Sequence, residues 1–158
     1  MFRNAGQLMR NKGFTLIELV LVIVIAAILI AVAVPWFTNY LDYKALQTAM
    51  RQVEADLRNA QQKSKAASVL YKVELAPGNT FYKIWAAPPG QAEQLIETNE
   101  LPQGVKISGN TATDYKIVYY QPTYTSETNG GVITFVSPKG KTGQLTVTPT
   151  TGKISLSP

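Results

Sequence analysis

One carboxylate in this chain stands where only chemistry justifies it. Glu18 closes the run Lys12, Gly13, Phe14, Thr15, Leu16, Ile17, Glu18 and opens onto a long apolar segment. A carboxylate inside a bilayer-spanning helix costs roughly 2.5 to 3.5 kcal/mol on insertion scales, so such a group is kept for pairing or transport. Glu18 therefore asks for a cation. A cut after Gly13 would supply one, because it would leave a new α-amino group on Phe14, one helical turn from Glu18. Arg3, Arg10 and Lys12 make residues 1–13 a short basic leader ahead of that cut.

Other chemistry is scarce. The chain has no histidine and no cysteine, which removes the commonest general base, the usual metal ligands, the thiol nucleophile and any disulfide clamp. Serines and threonines are plentiful, but a nucleophile needs a base in reach. The acids beyond the helical part are Glu74, Glu93, Glu97, Glu100, Asp114 and Glu127, dense only between residues 93 and 100 and without the Asp-x-Asp spacing of a calcium loop. They read as a solvated surface. The chain is thus expected to be no enzyme, with no catalytic residue, metal or cofactor.

The elements that must position Glu18 follow from hydropathy. Every residue in 19–34 is Leu, Ile, Val or Ala, and twelve of these sixteen are Leu, Ile or Val. A helix rising 1.5 Å per residue needs about 20 residues to cross a bilayer, so 14–37 is long enough to span. Each central Leu, Ile or Val contributes roughly 0.3 to 0.6 kcal/mol to insertion, which outweighs one peripheral acid. Three basic residues and no acid before the span place its N-terminus on the cytoplasmic side and the remainder outside. A cleavable secretory signal does not fit, because no small-x-small site follows the apolar core before Pro35.

Past Pro35 the pattern becomes amphipathic. Leu46, Ala49, Val53, Leu57, Ala60, Ser64 and Ala67 recur at spacings of three and four, while Arg51, Glu54, Arg58 and Lys63 fall elsewhere. One helix is predicted over about 14–67, bent or loosened at Pro35 by the missing amide hydrogen. From residue 70 the period shortens to two. Strands are predicted at 70–75, 80–86, 94–97, 105–108, 115–121, 132–136, 144–148 and 153–156, the first two joined through Pro77, Gly78 and Asn79. Residues 87–92 and 122–131 read as loops. Eight short strands suit two small antiparallel sheets. Tyr71, Phe81, Tyr82, Trp85, Tyr115, Tyr119, Tyr120 and Tyr124 read as sheet core or cross-strand pairs rather than base-stacking platforms.

The string KGFTLIE followed by LVLVIVIAAILIAVAVP closely resembles the signal of type IV prepilins and type II secretion pseudopilins. The resemblance implies that a membrane prepilin peptidase cuts between Gly13 and Phe14 and methylates the new amine. It also implies that Glu18 pairs with the N-terminal amine of a neighbouring subunit during assembly, and that Pro35 marks the usual helix kink. The closing segment resembles the H-type minor pseudopilins and FimT-like minor pilins: residues 133–140 read ITFVSPKG and are followed by Leu145, Val147, Gly152, Lys153 and Ile154. Leu101, Pro102, Gly104 and Val105 look like the mid-domain turn of the same group.

The fold expected is therefore α+β and pilin-like: a cleaved leader 1–13, a transmembrane and assembly helix 14–37, and an exported domain 38–158. That domain comprises an amphipathic helix 38–67 packed on a β domain 70–158. The function expected is a minor pseudopilin of a type II secretion pseudopilus, lodged in the inner membrane with its domain in the periplasm. Its partners would be prepilin peptidase, other major and minor subunits, the inner-membrane assembly platform, and lipid before assembly. A FimT-like minor pilin for pilus assembly or DNA uptake is the first alternative, and an anchored domain that never polymerises is the second. Nucleic acid is a weak expectation: removing the leader's three cations leaves 12 basic against 10 acidic residues, or +2. Lys139, Lys141 and Lys153, on the C-terminal strands and turns, would form a small DNA patch.

Overall fold

The computed structural model describes residues 14–119, 130–149 and 151–157. Helix α1 spans Leu16–Ala67 and contains Pro35. The chain divides into two compact units, Met1–Thr38 and Asn39–Pro158.

In the first unit the helix is apolar all round, and every residue from 14 to 37 is exposed. Within the second unit the helix turns one stripe inward, burying Asp42, Ala45, Leu46, Ala49, Met50, Val53, Leu57, Ala60 and Ser64. These are the spacings of three and four that the sequence predicts, extended one turn earlier. Ala67 is exposed because the helix stops there, with Ser68 in a left-handed conformation at φ 53°. On the outer side Arg58 Nε and Nη2 donate to Glu54 Oε1 at 3.0 and 2.7 Å, a helical pair contributing a few tenths of a kcal/mol.

Among the described residues eight strands follow: β1 Leu70–Glu74, β2 Phe81–Ala87, β3 Gln94–Glu100, β4 Lys106–Asn110, β5 Lys116–Tyr119, β6 Gly131–Val136, β7 Thr142–Val147 and β8 Ile154–Ser157. They form two antiparallel four-stranded sheets, in the orders β3-β2-β1-β5 and β4-β6-β7-β8. All eight segments match predicted strands, with shifted ends. Two shifts have physical causes. Strand β3 runs on to Glu100 because Asn99 and Glu100 still find partners in Tyr82 and Phe81. Strand β5 begins only at Lys116 because Asp114 and Tyr115 hold φ of 52° and 59°, a left-handed pair that no strand accommodates.

The two sheets are stitched as well as packed. The β1–β2 turn reaches across to β4, with Gly78 N–H donating to the Ile107 carbonyl at 2.7 Å and Ile107 N–H to the Asn79 carbonyl at 3.0 Å. Asn110 Nδ2 donates to the carbonyls of Leu75 and Tyr115, and its Oδ1 accepts from Ala112 N–H. Between helix and sheets lies one core, in which Val53, Leu57, Val73, Tyr82, Ile117, Tyr119, Ile133, Phe135, Leu145 and Val147 are essentially inaccessible. The arrangement is the α+β, two-sheet architecture expected.

Candidate functional site

At the start of α1 the local chemistry is more specific than a lone acid. Thr15 precedes the first helical residue, and its N–H and Oγ1–H both donate to Glu18 Oε2, at 3.1 and 3.0 Å. Glu18 N–H donates back to Thr15 Oγ1 at 3.3 Å. This is a reciprocal capping box, in which two otherwise unpaired donors of a helix terminus are satisfied. The carboxylate thus has a partner inside its own chain. Its signal was in the sequence as a Thr followed three residues later by a Glu ahead of an apolar run.

Phe14 lies just before this cap and is 81% exposed. Gly13, where cleavage is expected, and the rest of the expected leader 1–13 lie outside the described residues. Behind Glu18 none of the most apolar stretch, whose mean hydropathy is 3.3, is covered by protein. Pro35 sits inside the helix, and Thr38 Oγ1 donates to its carbonyl at 3.0 Å.

Lys139 and Lys141 come together, and Lys153 does not join them. Lys139 Nζ donates to Asn39 Oδ1 at 3.0 Å and Lys141 Nζ to the Asn39 carbonyl at 3.2 Å. Both lie in the β6–β7 turn, whereas the Lys153 carbonyl accepts from Thr148 N–H beyond the other end of β7. The turn itself is held by a residue that the apolar periodicity passed over. Asp42, 7% exposed, accepts from Ser137 Oγ at 2.7 Å and from Lys139 N–H at 3.2 Å. Ser137 Oγ in turn accepts from Lys141 N–H at 3.0 Å.

A second polar cluster ties α1 to the other sheet. Asp56 accepts hydrogen bonds from the Tyr82 hydroxyl and from Asn99 Nδ2, and Gln52 Nε2 donates to Tyr82 and to the Glu100 carbonyl. Burial, then the Asp56 carboxylate, pushes the Tyr82 phenol well above its usual range. These groups are structural: each is taken up by another part of the fold.

Among the described residues no three His, Cys, Asp or Glu gather as a metal site. Glu74 accepts from Trp85 Nε1 at 3.0 Å, and Glu93 pairs with Lys72, whose ammonium holds its carboxyl below the usual range. Tyr120, Tyr124, Glu127 and nearly all of the 122–131 loop lie outside the described residues. The apolar groove lined by Tyr43, Leu46, Gln47, Met50, Arg51 and Leu156 encloses about 200 Å³, below the 300 to 1,000 Å³ of ordinary ligand pockets.

A known sequence family and a known protein resemble parts of this chain. Residues 8–34 match the family model described as the prokaryotic N-terminal methylation motif. The chain is also 33% identical over 106 residues to the type IV narrow pilus major component PilA5 of Thermus thermophilus, an alignment covering 67% of this chain and 84% of that protein. No solved structure matches the chain. With a capped, uncovered apolar helix leading into a two-sheet domain, and a relative matched over most of its length, this chain belongs to the type IV pilin family.

Proposed function

We propose that the chain is a structural, non-catalytic filament subunit that waits in the inner membrane on residues 14–37. It is cut after Gly13 by prepilin peptidase, methylated on Phe14, and assembled with other pilins on a membrane platform. In the filament, Glu18 of one subunit meets the Phe14 amine of a neighbour. The observation that carries this reading is the apolar helix exposed from residue 14 to 37 with one carboxylate at its start. A surface of that size needs either lipid or like helices around it. Export of the second unit to the periplasm follows from the basic leader.

The likeness to a narrow-pilus component over 84% of its length supports ownership by a pilus. A minor pseudopilin of type II secretion is the second reading, supported by the closing ITFVSPKG strand and turn. An anchored domain that never polymerises leaves Glu18 without a use in the filament and is the weakest of the three.

Intact-mass analysis of the membrane-extracted protein tests the processing, which should yield a chain beginning at N-methylated Phe14. An uncut chain in cells with active peptidase, or one beginning beyond Val34, would overturn it. Deleting the chain then separates the machines: lost surface pili with normal enzyme secretion supports the pilus, and the reverse supports the secretion system.

A further inference from the structure

We propose that the first turns of the second unit, together with the β6–β7 turn, form a binding site for the anionic phosphate headgroups of the membrane that stores the subunit. The inference rests on the membrane-anchored reading above. In the sequence the apolar run ends at Phe37 and Asn39 is two residues further. The headgroup layer is about 5 to 7 Å thick on each side of a bilayer. Residues 39–44 span about 8 Å of helix, so they are the part of the second unit that the chain itself delivers to that layer.

The fold then brings cations to those residues from about a hundred positions away. Lys139 and Lys141 both reach Asn39, at 3.0 and 3.2 Å. Lys141 also stands over the Tyr43 ring at 5.7 Å and Lys44 over the Tyr40 ring at 5.6 Å. Tyrosines whose rings are apolar and whose hydroxyls are polar suit the membrane interface. The acid in this cluster, Asp42, is buried and committed to Ser137 and to the Lys139 backbone. Lys139 and Lys141 thus meet at Asn39 beside the enclosed Asp42 carboxylate. Lys44, which also donates to Gln47 Oε1 at 3.4 Å, adds a cation on another face of the same helical turns.

A duplex fits less well. Lys153 lies beyond the far end of β7, about 20 Å along a six-residue strand from Lys141, so the three lysines make no continuous track for a phosphate backbone. Lys139 and Lys141 instead converge on Asn39, the first residue of the second unit.

The test uses the full chain in lipid nanodiscs, with single spin labels, since the chain has no cysteine of its own. Thr142→Cys reports the β6–β7 turn, Thr148→Cys the far end of β7, and Val24→Cys the anchor. The reading is the ratio of collisions with lipid-soluble oxygen to those with a water-soluble nickel chelate. Adding phosphatidylglycerol to phosphatidylcholine should raise that ratio at the Thr142→Cys probe and leave Thr148→Cys unchanged. Each lysine should contribute about fivefold to the membrane-bound population. Lys139→Gln with Lys141→Gln should abolish the rise, and so should about 1 M salt, where the screening length falls to about 3 Å.

An unchanged Thr142→Cys ratio with the Val24→Cys probe in lipid would overturn this inference alone. A Val24→Cys probe in water would overturn the anchored reading with it. Displacement by inorganic phosphate at matched ionic strength would assign the lysines to a soluble anion. Retardation of duplex DNA that depends on the same lysines, without a lipid response, would assign them to nucleic acid. Either result would overturn the proposal.

Discussion

Thr15 and Glu18 show one carboxylate serving local structure as a cap, and the assembly role proposed for Glu18 asks for a second property of the same group. As cap, Glu18 needs only an acceptor oxygen; as counter-ion to an amine it needs its charge. Glu18→Gln separates the two, since glutamine also completes a capping box. We expect Glu18→Gln to insert and be cut normally yet fail to enter filaments, as Glu18→Leu should. Thr15→Ala should cost about 0.5 to 2 kcal/mol of helix stability and leave filament entry largely intact. Fractionation followed by shearing decides, and normal incorporation of Glu18→Gln would show that the charge is dispensable. At this scale the sequence was only partly legible. The cost of an acid in an apolar run draws attention to Glu18, but the Thr15 cap, though written at the right spacing, hides behind it. Asp42 was harder to see, because a buried acid breaks an apolar stripe and its partner Ser137 lies 95 positions away.

Among the elements, the contact between α1 and β7 depends on a missing side chain. A Cβ added at Gly143 would stand 2.5 Å from Met50 Sδ and 3.4 Å from Leu46 Cδ2. Gly143→Ala should therefore destabilise the fold by about 1 to 3 kcal/mol through overpacking, measured by denaturant unfolding. Adding Met50→Val should recover much of the loss, and simple additivity of the two changes would show that the clash is not the cause. Two buried tyrosines of the β3-β2-β1-β5 sheet, Tyr82 on β2 and Tyr119 on β5, make a second prediction. Burial raises the phenols of Tyr82 and Tyr119, so their folded values exceed the unfolded value of about 10. The associated stability is fully present below about pH 10 and is lost as pH rises through the folded values. The Tyr119 hydroxyl is buried without a hydrogen-bond partner among the described residues. Tyr119→Phe should accordingly flatten the alkaline limb and raise stability at neutral pH by about 1 kcal/mol. An unchanged limb would place the titration elsewhere. Strand existence was legible because alternation and Gly or Pro turns recur throughout residues 70–158. Strand ends were not, since pairing across the sheet fixes them: Glu100 continues β3 only because Phe81 lies opposite.

For the whole molecule, the division after Thr38 separates two solutions to burying apolar surface. Residues 14–37 are exposed throughout in the described structure, which is the surface that lipid or neighbouring helices would cover under the function proposed above. The unit Asn39–Pro158 instead has its own core, closed by the helical stripe from Ala45 to Ala60 against both sheets. This contrast was readable from hydropathy alone, as a switch from a continuous apolar run to a three-and-four spacing. The order of strands within the sheets was not, because β5 joins β1 and β4 joins β6 across long stretches of chain. A fragment beginning at Asn39 should consequently fold by itself. Its helix keeps the Asp42 clamp on Ser137 and Lys139 and the Asp56 contacts to Tyr82 and Asn99, and it discards the uncovered apolar segment. We expect a monomer by sedimentation with cooperative thermal unfolding and mixed helix and sheet signal. A fragment that aggregates or melts without a transition would show that the membrane half is required to hold the helix against the sheets.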